Sequence, residues 1–226
     1  SNMKFKRIIK NILIGIVLLT ALHTYGQQHP LYTQYYNNFS LINPAYSGSH
    51  GLFTATADIR SQWAGLVGGP ETQTLSLHGP VGKNVGLGLS IVNDKVFVLN
   101  ETHLFADFSY SIETSDNAIL AFGLKAGGSF LNVDLLGLGI ENDNLFSENI
   151  NQFNPNFGAG VFYYTEKFYA SLSTVNILKT KRYAKNSNVV SSASDEMVFY
   201  VSSGYVFDIS EDFQLKPSVM MRAVNR

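Results

Sequence analysis

The 226-residue sequence predicts an all-β protein, a transmembrane antiparallel β-barrel. Three observations predict it. Apolar residues alternate with Gly, Ser or charged residues over long runs, the period-2 pattern of strands with two unlike faces. Several runs reach the ~9–11 residues that a tilted spanning strand needs, where ordinary strands average ~5–6. Aromatic residues gather at the ends of runs, as in the interfacial girdles of membrane barrels, although Tyr and Phe favour strands in any setting. A soluble β-sandwich gives the same alternation another home, with apolar faces buried against each other.

Composition narrows the chemistry. Charged residues make up 15% of the chain, below the ~25% of soluble domains. There is no cysteine, which excludes disulfides, cysteine-based metal sites, thiol nucleophiles and lipidation at a cysteine.

From the N-terminus, residues 1–26 read as a signal peptide. Lys4, Lys6, Arg7 and Lys10 form a basic start, Ile12–Leu22 is an apolar run, and Thr24–Gly26 offers small residues for cleavage. Ser1-Asn2 ahead of Met3 looks like a scar or an upstream extension. The apolar run is shorter than the ~20 residues of a spanning helix, which argues against an anchor. Without this segment, twelve of the 16 basic residues face 17 acidic ones, a formal charge of −5. Nothing suggests nucleic acid as a partner.

Residues 27–51 read as an ordered N-terminal segment. "QHPLYTQYYNNFSLINPAYSGSHG", Gln28–Gly51, is rich in Tyr and Asn and almost uncharged. Pro30 and Pro44 restrict the backbone and bias His29 and Asn43 towards extended conformations. Asn37, Asn38 and Asn43 can bond to local backbone, and the tyrosines can bury a ring while keeping the hydroxyl wet. The segment is expected to fold against the periplasmic end of the barrel or partly into its lumen.

Residues 52–226 read as strands and turns. Runs fall at Leu52–Arg60, Thr72–His78, Val85–Val92, Thr102–Glu113, Ala118–Val133, Asn156–Tyr164, Phe168–Val175, Met197–Asp208 and Phe213–Val224, roughly nine strands. In Thr102–Glu113, Thr102, Leu104, Ala106, Phe108, Tyr110 and Ile112 share one face, and His103 to Glu113 the other. Two connections are long, Asp134–Pro155 and Asn176–Glu196. Short turns alternating with longer loops suit an outer-membrane barrel. The sequence ends at Arg226 without the usual terminal aromatic residue. Open edges in lipid are costly, so further strands downstream are expected.

No catalytic, cofactor or metal site emerges. Histidines 23, 29, 50, 78 and 103 show no ligand spacing. His78 and His103 are expected to face the lumen or rim, and Asp107 and Glu113 to be solvated residues of a polar face. Glu141–Asn144 lacks the Gly and distal Glu of a calcium loop. Gly79–Asn84 lacks Walker spacing and reads as a hairpin turn. Arg60 and Trp63 are either a packed pair at a strand end or part of a docking surface on Ser61–Pro70.

The N-terminal segment resembles the signature of the PorP/SprF family of type IX secretion and gliding proteins of Bacteroidetes. The matching residues are Gln28, Pro30, Tyr32, Thr33, Gln34, Tyr35, Asn38, Asn43, Pro44, Ala45, Tyr46 and Gly48. A second patch comprises Arg60, Gln62, Trp63, Gly69, Pro70 and Thr72. The resemblance implies a non-enzymatic outer-membrane barrel of about fourteen strands, of which roughly nine are present. It implies a role in export or surface attachment of sorting-domain cargo such as adhesins. Implied partners are outer-membrane lipid, periplasmic lipoproteins, a peptidoglycan-binding component and the C-terminal sorting domains of exported proteins. A barrel transporting solutes or hydrophobic compounds, and a secreted β-sandwich adhesin, are the competing readings.

Overall fold

The computed structural model describes residues 38–63, 65, 68–134, 149–178 and 197–225. Eleven strands run along them: β1 (Thr54–Ser61), β2 (Glu71–Pro80), β3 (Val85–Val96), β4 (Leu99–Ser115), β5 (Ala118–Val133), β6 (Ile150–Thr165), β7 (Phe168–Thr174), β8 (Met197–Tyr205), β9 (Phe207–Ser210), β10 (Phe213–Leu215) and β11 (Ser218–Asn225). Strands β1 to β8 and β11 form one nine-stranded sheet in chain order, and β9 pairs only with β10. All neighbouring strands are antiparallel. β1 and β11 are the outer strands and do not pair with each other, so the sheet is open.

Its polarity is the reverse of a soluble protein's. One face carries Leu75, Leu77, Leu87, Leu89, Ile91, Leu104, Phe108, Phe122, Leu124, Phe130, Phe157 and Leu172, all exposed. The other buries Ser76, His78, Ser90, Glu101, Asp107, Ser109, Lys125, Ser129, Asn154, Ser171, Ser173 and Ser202. The register keeps this sorting intact from strand to strand. Leu87 lies opposite Phe108, Phe108 opposite Leu124, and Leu124 opposite Ala159. A slip by one residue would exchange the two faces. On β5 the exposed face is free of charge from Leu120 to Phe130. Ten steps at ~3.3 Å make about 33 Å, or about 25 Å in height at a tilt near 40°, the height of a membrane barrel's apolar band.

The connections sort by end. Residues 81–84, 116–117 and 166–167 turn tightly at one end, where the β9–β10 hairpin also lies. We call this the turn end. At the opposite, loop end lie the short turn 97–98, the ends of β1, β5 and β7 and the starts of β2, β6 and β8.

Residues 38–50 lie on the polar face and make hydrogen bonds or ring contacts with β2, β4, β5, β6 and β7. One short segment reaches so many strands because the sheet curls around it. The apolar clusters sit at this junction: Ile42 with Val198 and Tyr200, and Ala45 with Ala121 and Phe162.

Several expected boundaries shift. The run Phe213–Val224 is not one strand. Pro217, which has no amide hydrogen to donate, separates β10 from β11, and its carbonyl accepts from Tyr205 N–H. The run Met197–Asp208 likewise divides at Val206. β6 begins at Ile150, so the preceding connection is shorter than expected. Of Gly79–Asn84, residues 81–84 form the β2–β3 hairpin turn as expected, while Gly79 and Pro80 still belong to β2. The expected signal peptide at 1–26, residues 27–37 and Glu141–Asn144 lie outside the described residues.

Candidate functional site

The polar face and the segment laid on it form a continuous site. Two single 3-10 turns, Phe39–Leu41 and Pro44–Tyr46, compact the segment. Asn43 caps the second. Its extended backbone suits the residue before a proline, and its Oδ1 accepts from Ala45 N–H at 2.9 Å. Its Nδ2 donates to Val161 O at 3.1 Å and Ser171 Oγ at 2.7 Å. One fully buried amide thus joins the segment to β6 and β7.

Further bonds repeat the pattern along the segment. Ser76 donates to Asn38 Oδ1, Ser109 to Ser47 O, and Ser173 to Ile42 O. Small hydroxyl residues leave room for backbone while offering a donor, so serines suit this face. Glycines admit closer approach still. A methyl added at Gly123 would collide with the Pro44–Ala45 backbone, and one at Gly160 with the Asn43 amide. Gly48, with φ +82°, turns the chain out towards β1.

A buried ion pair lies beneath the first turn. Lys125 Nζ stands 2.7 Å from Asp107 Oδ1, and both side chains have almost no exposed surface. The same Nζ donates to Ser40 O at 3.4 Å and lies 5.5 Å from the centre of the Phe105 ring. Asp107 is therefore not the solvated residue expected of a polar face. Strand register brings Lys125 directly opposite it, and the segment closes over both. Glu113 is exposed on the same strand, as expected.

At the turn end Tyr46 packs its ring between those of Phe39, His78 and Phe162, at 5.1, 5.6 and 5.3 Å. Its hydroxyl meets His50 Nε2 at 2.7 Å. A cavity of about 440 Å³ opens beside this cluster, lined in part by Tyr164, Tyr169, Lys167 and Lys216. Lys167 pairs with Asp208 of the hairpin at 2.5 Å. The hydrogen bond from Lys167, then that from Gln214, holds the Asp208 carboxyl below its ordinary range. The same bond pushes the Lys167 ammonium above its own.

The second sequence patch lies at the loop end, away from the segment. Gln62 N–H donates to Pro70 O, closing the loop between β1 and β2. Trp63 is 68% exposed and, at φ 55°, sits in the left-handed region. Arg60 points to the polar face of β1, opposite Thr72. Of the family-motif residues, which were also possible partner contacts, Asn43, Pro44, Ala45 and Gly48 come together. Arg60, Gln62, Trp63 and Pro70 form a separate group, and Gln28, Pro30, Tyr32, Gln34 and Tyr35 lie outside the described residues.

Over residues 24–226 the chain matches the family described as type IX secretion system membrane protein PorP/SprF. It belongs to that family. No curated protein and no solved structure matches it.

Within this PorP/SprF chain, the sequence motif singled out Asn43, Pro44 and Gly48, which join the segment to the sheet, but not their counterparts Lys125, Ser109, Ser171, Ser173, Gly123 and Gly160. Each sits on a strand at a polar-face position, which the alternation did reveal. What singles them out is the segment on top of them, and no local pattern announces a contact across 131 positions of chain. No group of three or more metal-ligating residues occurs among the described residues.

Proposed function

We propose that the sheet is the wall of an outer-membrane β-barrel, and that the protein serves the type IX secretion and gliding machinery in export or surface attachment of sorting-domain cargo such as adhesins. Family membership makes it a membrane component of type IX secretion. The observation that carries the barrel is the inverted polarity: exposed Leu and Phe on one face, buried Ser, Asp and Lys on the other. Water would penalise that outward face at about 25 cal/mol per Å² of apolar surface, whereas hydrocarbon accepts it. Further strands pairing the edges of β1 and β11 would satisfy their backbone groups in lipid. A β-sandwich adhesin would bury the apolar face against a second sheet, and none covers it among the described residues.

On this reading the loop end faces outside the cell and the turn end the periplasm. The signal peptide is removed on export. Residues 38–50 fill the curl of the wall, which favours an attachment and export role without enzymatic activity over free passage of solutes. Periplasmic lipoproteins and a peptidoglycan-binding component would meet the turn end, as would the sorting domains of cargo.

Gene disruption followed by secretome and motility analysis tests this. Retention of sorting-domain proteins, with a co-encoded adhesin tracked individually, and loss of spreading are expected. Unchanged export and normal spreading would refute the role.

A further inference from the structure

We propose that the outward face at the loop end carries a binding row for the sugar headgroups of a glycolipid. The inference rests on the membrane-barrel reading above. Strand register defines the row. Ser61 lies opposite Glu71, Glu71 opposite Lys95, Lys95 opposite Asn100, Asn100 opposite Asn132 and Asn132 opposite Asn151. Six neighbouring strands therefore present polar groups side by side. One pleat further in, Gln73, Asn93 and Thr102 continue the polar surface before Phe130 and Phe153 begin the apolar one.

The two ends of the outward face are unlike. The corresponding row at the turn end reads Ile112, Leu120, Tyr163, Ala170 and Ser203, with no amide. Asparagine is disfavoured in strands, and at these outward positions it contributes nothing to the buried clusters. A run of such residues therefore calls for a cause outside the chain.

Side-chain bonding holds the amides in place. Asn93 Nδ2 donates to Asn100 Oδ1 at 2.7 Å and to Thr102 Oγ1 at 2.8 Å, and Asn132 Nδ2 donates to Asn151 Oδ1 at 2.5 Å. Each amide has two donor hydrogens and two acceptor lone pairs, so these bonds fix its direction and leave capacity for a ligand.

Charge selects the ligand class. The only ionised groups in the row, Glu71 and Lys95, are opposite in sign and cancel. A phosphate-bearing headgroup would call for clustered Lys or Arg. An uncharged row of donors and acceptors complements sugar hydroxyls, which also donate and accept. Continuity with the lipid-facing band places the sugar on a lipid. At the end of the row Trp63 and Phe97 border a cleft of about 210 Å³ with Ser61, Glu71 and Lys95, and aromatic faces suit sugar rings.

The protein also carries its own reporter. Trp63 is the sole tryptophan. The test places the protein in phosphatidylethanolamine nanodiscs with equal amounts of monoglucosyl diacylglycerol and plain diacylglycerol. Bound lipid is read by native mass spectrometry, and Trp63 emission is followed.

About tenfold enrichment of the glucosyl lipid is expected, from a few amide hydrogen bonds, with a blue shift of Trp63 emission. The variant N100L/N132L/N151L, which extends the apolar band, should lose the enrichment. N132A, the milder change, should lose part of it. Soluble methyl glucoside should compete only at far higher concentration. Equal retention of the two lipids by the wild type would overturn the proposal, as would undiminished enrichment in both variants. Absence of protein from the nanodisc fraction would instead refute the membrane reading, and this inference with it.

Discussion

Asn43 shows how one side chain can serve several elements at once. It has no exposed surface, and its amide holds Ala45 on one side and Val161 and Ser171 on the other. Asn43→Ala should destabilise the fold by about 1–3 kcal/mol, because the groups left behind stay buried without partners. Heat-modifiability on SDS gels of variant against wild type reads this out. The ion pair calls for a cycle. Asp107→Leu alone leaves the Lys125 ammonium buried and uncompensated, at a cost of about 3–5 kcal/mol. Adding Lys125→Met should recover most of that loss. A double variant as unstable as the single would mean that Lys125 acts chiefly through Ser40 O. Asp107 also marks where sequence reading stopped. Alternation placed it on the polar face correctly. Its burial depends on a partner on the next strand and a segment arriving from more than fifty positions earlier, neither of which a local pattern contains.

At the scale of elements, strands were the most legible part. Period 2 is a strong signal over the long β4, and each outward residue expected there is outward. The β10–β11 break was missed because Phe213 and Leu215 keep the alternation while Pro217 interrupts the ladder. The β9–β10 hairpin is tied back by Lys167 and Asp208, and by the bond from Val206 N–H to Lys167 O. Asp208 is held below 3.8, so its share of the tether is present above that pH and is lost as pH falls through the lowered value. Lys167 is held above 10.5, so its share is present below that pH and is lost as pH rises through the raised value. Hydrogen exchange at Val206, corrected for intrinsic rates, should therefore show constant protection from about pH 4 to 10 and a loss at more acid pH. Asp208→Asn should remove the acid-dependent part. Both partners are well exposed, so salt should weaken the tether as well.

At the scale of the whole molecule, solvent decides what the outward face means. Leu124 lies within the apolar band of β5 and is 63% exposed. In water, replacing an exposed Leu by Arg would change little. In a bilayer, Leu124→Arg should cost about 2–4 kcal/mol. Unfolding in urea from lipid vesicles separates the two, and a change within about 0.5 kcal/mol would place this face in water. The all-β class and the two-faced wall were readable in advance because they repeat every two residues. An unclosed sheet and a packed N-terminal segment were expected too, from the cost of open edges and from the segment's Tyr and Asn content. Which strands and side chains meet the segment depends on the whole chain and was not legible.

The segment at 38–50 has a kinetic consequence. Its partners include Ser76, Ser109, Lys125, Ser171 and Ser173, spread over most of the later chain. Contacts of such high sequence separation are slow to form. Gly123 and Gly160 leave hollows that Asn43, Pro44 and Ala45 occupy. The early residues thus occupy, in the finished fold, the hollow that the later hairpins enclose. A chain deprived of them would have to wind its wall around water.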